Sequence, residues 1–448
     1  MFRTLLIANR GEVAARVVRT AKRMGIRTVL PVSAADQDQQ WLHEVDEVVP
    51  IGPAPAARSY LDQDALLEVA RHTGATAVHP GWGFLAENAV FAARCEAVGL
   101  TFVGPSAKHM LEMGDKSLAR ATMRGLGLDP IPGSRAPVST LAEAHDVAAS
   151  IGYPVLLKAV AGGGGRGMRG VETPEHLEAA YTQAAAEAVA SFGDGRLYLE
   201  RRILRGRHVE VQILADHFGT CLALGERECS MQRRHQKVVE EGPSPGLSHE
   251  ERQRILPLVA DVVRRTGYVG AGTVEMLLDQ QGTAWFMEMN TRLQVEHAVT
   301  EALTGLDLVE LQLRIAARQR LTLTQADIKV SGHAMEWRIN AEDPDADFRP
   351  SPGLVRELSF PSGDGIRVDT HLTAGDRVPP NYDAMIAKLI IHGNDRADAL
   401  RRSAAALQST VVEGVKTNLS LHQRIVSWPP FVAGDYDTTS LEHDLMGA

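Results

Sequence analysis

Cysteine is nearly missing from this chain: 448 residues contain three, Cys95, Cys221 and Cys229. An odd, sparse set gives no disulfide framework and points to a reducing compartment, so a cytoplasmic setting is expected. A basic excess is missing too. The formal net charge of −9 argues against a nucleic-acid-binding surface. No apolar run approaches the ~18 residues of a membrane span. The N-terminal "LLIA" is too short for a signal-peptide core and gives way at once to Asn9-Arg10. Lysine is scarce: of 47 basic residues, 8 are Lys and 39 are Arg. A chain that nearly always chooses Arg keeps Lys either by surface chance or where a compact, mobile ammonium is wanted. Lys116, Lys158 and Lys237 recur below.

What is present is an ordinary globular composition, 44% hydrophobic and 23% charged, in a chain long enough for two or three domains. The first third alternates strand and helix patterns. "TLLIA" reads as a buried strand, "EVAARVVRTAKRM" as an amphipathic helix stopped by Gly25, and "RTVLPV" as the next strand. "YLDQDALLEVARHTG" and "ATAVHP" repeat the rhythm, which predicts a mostly parallel sheet with helices on its faces. The turn "ANRGE" offers one glycine, far short of a dinucleotide fingerprint, so no NAD site is assigned. A second unit begins near "MGDKSLAR". Within it, about 130–204, "YPVLLKAV", a glycine run and "RLYLERRIL" read as strands joined by a loop. Further on, "GTVEMLLDQQGTAWFMEMNTR" reads as a β-hairpin, and a strand-rich unit opens near 331 with "HAMEWRINAED".

Three patterns carry chemistry. On the hairpin, alternation places Glu288, Asn290 and Arg292 on one face with Glu275 beside them. Two carboxylates and an amide oxygen suit Mg²⁺; a solvated face or a Glu–Arg ion pair is equally open. The run "GGGGRGM" is either a slack linker or a phosphate-covering loop, and its place between a strand carrying Lys158 and a segment with Arg166 favours the loop. It is not a Walker A sequence. In "ERECSMQRRHQKVVEE", Arg233, Arg234, His235 and Lys237 crowd together, as a charged face or as an anion site.

Taken in order, "HPGWGFLAEN", "GPSAKHMLEMGDK", "RGMRG", "SMQRRHQKVVEE", "FMEMNTRLQVEHAVTE" and "WRINAED" closely resemble the biotin carboxylase family, over about residues 3–445. The resemblance implies an ATP-grasp fold of α/β and α+β units. These are an N-terminal parallel, Rossmann-like domain (1–114), an ATP-grasp domain (115–330) with a mobile lid subdomain (about 130–204), and a C-terminal β-rich domain (331–446).

Family roles fall on matching positions. Lys116, Lys158, Gly164 and Gly165 would hold ATP phosphates, and the hinge Glu200, Arg201, Arg202 and Ile203 would grip adenine. His208 and His235 would flank the nucleotide, while Glu275, Glu288 and Asn290 would carry one or two Mg²⁺ or Mn²⁺. Lys237, Arg292 and the backbone of Val295 would hold bicarbonate, Glu296 would be its general base, and Arg338 would stabilise the biotin enolate. Three positions depart from the family pattern: Ala161, Ala298 and Trp82. Biotin is carried on Lys in a Met-Lys-Met context, and no such triplet occurs here. The expectation is therefore a stand-alone subunit, often a homodimer in this family, that works with a biotin carboxyl carrier protein and carboxyltransferase subunits. Acetyl-CoA carboxylase is expected, and a pyruvate, propionyl-CoA or related carboxylase is the alternative. A non-catalytic nucleotide-binding scaffold is the reading from a different class.

Overall fold

Short apolar strands of the N-terminal third pair side by side because neither face can be left in water. β1 (Thr4–Ile7), β2 (Arg27–Ser33), β3 (Glu47–Gly52), β4 (Ala77–His79) and β5 (Thr101–Phe102) form an all-parallel sheet in the order β3-β2-β1-β4-β5. Leu5, Leu6 and Ile7 of central β1 are completely buried, as expected of a sheet covered on both faces. The order reverses between β1 and β4, which opens a crevice at the strands' carboxyl ends. Asn9 closes part of it by donating to the carbonyls of Pro80 and Trp82, each at 2.7 Å. The computed structural model describes residues 1–160 and 167–447. Ala161, Gly164 and Gly165 therefore lie outside the described residues.

A small unit follows. β6 (Val155–Ala159) is flanked by β7 (Met168–Val171) and β8 (Leu197–Arg201), both antiparallel to it. Helices Leu141–Ile151 and Leu177–Phe192 cover this sheet over a core of Val155, Leu157, Leu197, Leu199 and several alanines. Neither helix had a counterpart in the sequence reading, which placed only strands and a loop here.

The largest element is one antiparallel sheet of eight strands. They are β9 (Arg207–Ala215), β10 (Cys221–Arg233), β11 (Gln236–Gly242), β12 (Gly270–Leu278), β13 (Ala284–Asn290), β14 (His333–Asn340), β15 (Ile366–Thr370) and β16 (Met385–Gly393). Their spatial order is β13-β12-β9-β10-β11-β14-β16-β15. The sheet runs unbroken across the 330/331 boundary, because β11 pairs with β14. Along β9, Val209, Val211 and Ile213 face a core beneath helix His249–Thr266, and His208, Glu210 and Gln212 face the other way. The polar face positions the site. Among the described residues, no helix is long and apolar enough to cross a membrane, and Cys95, Cys221 and Cys229 are unpaired thiols.

Candidate active site

The hairpin β12–β13 sets Glu275 directly opposite Glu288, and Thr273 opposite Asn290. Both glutamates therefore rise on one face, within about 5.5 Å at Cβ. The strand ends at Asn290, so Arg292 lies in the following loop rather than on the strand as the alternation implied. It still reaches the cluster: Nη2 donates to Asn290 Oδ1 at 2.9 Å. Its Nε bonds Glu87 Oε2 at 2.9 Å, and its Nη1 bonds Gln294 Oε1 at 2.7 Å. Burial, together with the Glu275 charge, pushes the Glu288 carboxyl up, with Lys116 and Lys158 opposing. Facing carboxylates that repel each other, with an amide oxygen alongside, form a hard-oxygen donor set that fits Mg²⁺ or Mn²⁺.

Lys237, projecting from β11, organises the centre. Its Nζ donates to Glu210 Oε2 at 2.6 Å, Glu275 Oε1 at 2.9 Å and Glu296 Oε1 at 2.6 Å. Burial alone would lower this ammonium's pKa, but Cys229 and the carboxylates Glu210, Glu275 and Glu296 more than offset it and raise it well above its ordinary value. Glu296 is held the other way. Burial would raise its carboxyl, but Lys237, Arg338 and Arg227 together keep it well below the usual carboxylate range. Its position as the N-cap of helix His297–Thr304 adds the favourable end of the helix dipole. Ala298, one of the departures from the family pattern, is the second residue of that helix.

Arg338, on β14, donates from Nη2 to Glu296 Oε2 at 2.9 Å and pairs with Glu240. His208 Nε2 lies 3.3 Å from Glu275 Oε2. Val295 contributes backbone: its carbonyl accepts from Lys388 Nζ at 2.9 Å.

Towards the small unit, Glu200 at the end of β8 is buried between two cations. Arg120 Nη1 donates to its Oε2 at 2.8 Å, and Lys158 pairs with its other oxygen. Lys116 opens helix Lys116–Leu126, and burial lowers its ammonium, with Glu288 opposing and Lys158 assisting. Arg201 stacks over the Trp285 ring at 5.2 Å, Arg202 pairs with Glu172, and Ile203 packs against Gly206. His235 is exposed in the turn between β10 and β11. Arg234 and His235 take φ of +47° and +63° there, a two-residue turn that normally wants Asn-Gly. Side-chain anchors hold this uncomfortable turn, since Arg234 Nη2 bonds Asp347 Oδ2 at 3.1 Å.

Several residues of this centre were not singled out from the sequence: Glu87, Glu210, Arg227, Glu240, Glu336 and Lys388. Arg227 is completely buried, its Nε on Glu210 Oε1 at 2.7 Å and its Nη1 on Thr300 Oγ1 at 2.8 Å. The usable signal was a charged residue interrupting an alternating apolar strand, as in "HVEVQ", "AMEWRIN" and "MIAKLI".

Comparisons with known proteins bear on the chain as a whole. The model of the biotin carboxylase N-terminal domain matches residues 1–110, that of the carbamoyl-phosphate synthase L chain ATP-binding domain 115–324, and that of the biotin carboxylase C-terminal domain 336–443. A biotin carboxylase of Haemophilus influenzae is 49% identical over 446 residues, 99% of each chain. A Campylobacter jejuni biotin carboxylase, solved as a β,γ-ATP complex, superposes with a TM-score of 0.96 at 42% identity, covering 99% of each chain. The biotin carboxylase domain dimer of Hydrogenobacter thermophilus 2-oxoglutarate carboxylase, solved with MgADP, ADP and bicarbonate, gives 0.94 at 43% identity, over 99% of this chain and 98% of that one. With its whole length matched in sequence and in fold, the chain belongs to the biotin carboxylase family.

Proposed function

We propose that this chain catalyses the first half-reaction of acetyl-CoA carboxylase, carboxylating biotin borne on a separate carrier, with ATP and bicarbonate as co-substrates. The same subunit of another acyl-CoA or pyruvate carboxylase is the alternative, and the likeness to a 2-oxoglutarate carboxylase domain keeps it open. The division at 114/115 and 330/331 is part of this reading, supported by where the three domain models end.

The observation that carries the reading is Lys237, bonded at once to Glu275 of the metal pair and to Glu296 beside Arg338. One ammonium thus joins the phosphate end of the cleft to the biotin end. A bound divalent cation would be held by Glu275, Glu288 and Asn290 and would neutralise charge on the transferring phosphoryl group. Bicarbonate entering beside Lys237 competes with the carboxylates for its donors. A bicarbonate oxygen attacks the γ-phosphorus, the bond to the β-phosphate oxygen breaks, and ADP leaves. Glu296 is a weak base while Lys237 and Arg338 hold it. Transfer of Lys237 to the bicarbonate makes the base stronger and the bicarbonate more acidic together. Carboxyphosphate then yields CO₂ and phosphate, the ureido nitrogen of biotin gives its proton to the released phosphate, and that nitrogen attacks CO₂. Arg338 is placed to stabilise the enolate, and closure around the cleft keeps water from the reactive intermediate.

The expected result is Mg²⁺-dependent ATP hydrolysis that rises when bicarbonate and biotin are added together. Turnover indifferent to biotin would point to another ATP-grasp activity, and nucleotide binding without turnover to a scaffold. Glu288→Gln should lower kcat by about 10²-fold, roughly 2.7 kcal/mol of transition-state stabilisation. Arg338→Ala should damage biotin carboxylation far more than biotin-independent ATP cleavage; equal losses would remove it from the second step.

A further inference from the structure

We propose that Lys388 is a positioning residue for bicarbonate, acting through the peptide that joins Val295 to Glu296. This rests on the reading above, in which the Val295 backbone and Glu296 meet that substrate. Lys388 lies on β16 directly opposite Arg338 of β14, so both side chains leave the sheet on one face. Its side chain is completely buried. Nζ donates to the Val295 carbonyl at 2.9 Å. The same nitrogen is 3.0 Å from Glu12 Oε1, on helix Gly11–Arg23, and 3.8 Å from Asp369 Oδ2, on β15. One ammonium therefore ties a loop of the central unit to a helix of the N-terminal sheet and to the edge of the C-terminal strands.

The consequence for the site follows from peptide planarity. The Val295 carbonyl and the Glu296 N–H belong to one rigid unit. The Val295 N–H, the backbone donor an anion can use, is joined to that unit through a single Cα, so a donor fixed on the carbonyl restricts the direction of both. It also sets where the helix begun by Glu296 starts, and hence where the Glu296 carboxylate stands between Lys237 and Arg338. A compact ammonium with three donors suits this meeting point, where a planar guanidinium would not. In a chain with 8 lysines against 39 arginines, lysine is kept here.

The competing account makes Lys388 only the buried partner of Glu12, and variants separate the two. Lys388→Met removes both the bond to Val295 and the ion pair, leaving Glu12 buried without its cation. Glu12→Gln/Lys388→Met removes that stranded charge without restoring the bond. Glu12→Gln alone keeps the bond and loses the ion pair. Positioning predicts that the double variant regains most of the Tm lost by Lys388→Met yet keeps a bicarbonate KM raised about tenfold, with the KM for ATP within twofold of the parent. It also predicts a near-normal bicarbonate KM for Glu12→Gln. A normal bicarbonate KM in the double variant, or a raised one in Glu12→Gln, would overturn the proposal. Arg292→Ala is assayed alongside: if it raises the bicarbonate KM while the double variant does not, only the role of Lys388 fails. If it leaves the bicarbonate KM unchanged, the site reading itself fails.

Discussion

The two ends of the cleft are built differently. At the end proposed for bicarbonate, Glu210, Glu240, Glu296, Arg227 and Lys388 are all buried, on strands of one sheet or on the loop packed against it. Lys237 bonds three carboxylates there and Arg338 two, while Arg227 pairs with Glu210. At the end proposed for the nucleotide, the charged groups come from a separate three-stranded unit and from helix Lys116–Leu126, and several are partly exposed. There a carboxylate is shared between cations, as Glu200 is between Arg120 and Lys158. A buried charge with many partners is pre-oriented but costly to disturb, whereas a half-exposed charge can be re-solvated. On the proposed reading, the chemistry would sit on the continuous sheet, where charges are fixed, and nucleotide binding on the smaller unit, where they are more easily re-solvated.

The largest expected effect tests the rigid end. Lys237→Met takes one cation from three buried carboxylates at once, leaving Glu210 with Arg227, Glu296 with Arg338 and Glu275 beside His208, and should destabilise the fold by about 3 kcal/mol at neutral pH. Lys158→Met should cost no more than about 1 kcal/mol, since buried Glu200 keeps Arg120 and the lost ammonium was itself 21% exposed. Urea unfolding of both variants checks this, and equal losses would erase the contrast between the two ends. The Lys237→Met deficit should also shrink at pH 5, where glutamates that have lost one cation take up protons more readily.

A second effect concerns pH and comes from the rigid end alone. Glu240 faces Glu336 across β11 and β14, and burial, opposed by Arg338 and aided by Glu296, pushes its carboxyl up to about 7 from an ordinary 4.5. The native state thus holds a proton that the unfolded chain has released. This contribution is fully present below about pH 4.5 and is lost as pH rises through 7, at roughly 1.4 kcal/mol per pH unit between them. Glu275 and Glu296 act in the opposite sense, because their folded values are depressed. Their stabilisation is present above about pH 4.5 and disappears as pH falls. Glu240→Gln should flatten the loss of stability between pH 5 and pH 7 while leaving the acid limb unchanged. Urea midpoints at pH 3.5, 5 and 7 decide it, and a parallel shift at every pH would show that Glu240 does not titrate there.

How much of this was readable beforehand differs between the same two ends. The facing of Glu275 and Glu288 follows from strand alternation and a short turn, both local, and the parallel N-terminal sheet follows from its strand–helix rhythm. Arg292 was placed one step too regularly, because alternation says nothing about where a strand stops. The union of Lys237 with Glu210, Glu275 and Glu296 joins residues 27 to 59 positions apart, on separate strands and a loop. Pairing of β11 with β14 brings together residues nearly a hundred positions apart. Neither is encoded in any local window, so Glu240, Glu336 and Lys388 looked like interruptions of apolar strands and nothing more. Family resemblance supplied the roles of the matching residues but not the buried partners that hold them.

The smallest expected effect tests the adaptable end. Glu200→Gln keeps an oxygen for Arg120 and removes the charge that Arg120 and Lys158 share. Lys158 is then less tethered, and its ammonium, 21% exposed, gains water as compensation. Hydrogen bonds to the hinge that depend on shape should survive, while the charged part of its grip is lost, a difference of about 1 kcal/mol for a charge-assisted against a neutral bond. The KM for ATP should therefore rise about three- to tenfold with kcat within about threefold of the parent, and the bicarbonate KM should not move. Steady-state kinetics with each substrate varied in turn would show it. A bicarbonate KM that rose together with that for ATP would mean that the two ends of the cleft are one rigid body, and that the division between fixed and adaptable halves is wrong.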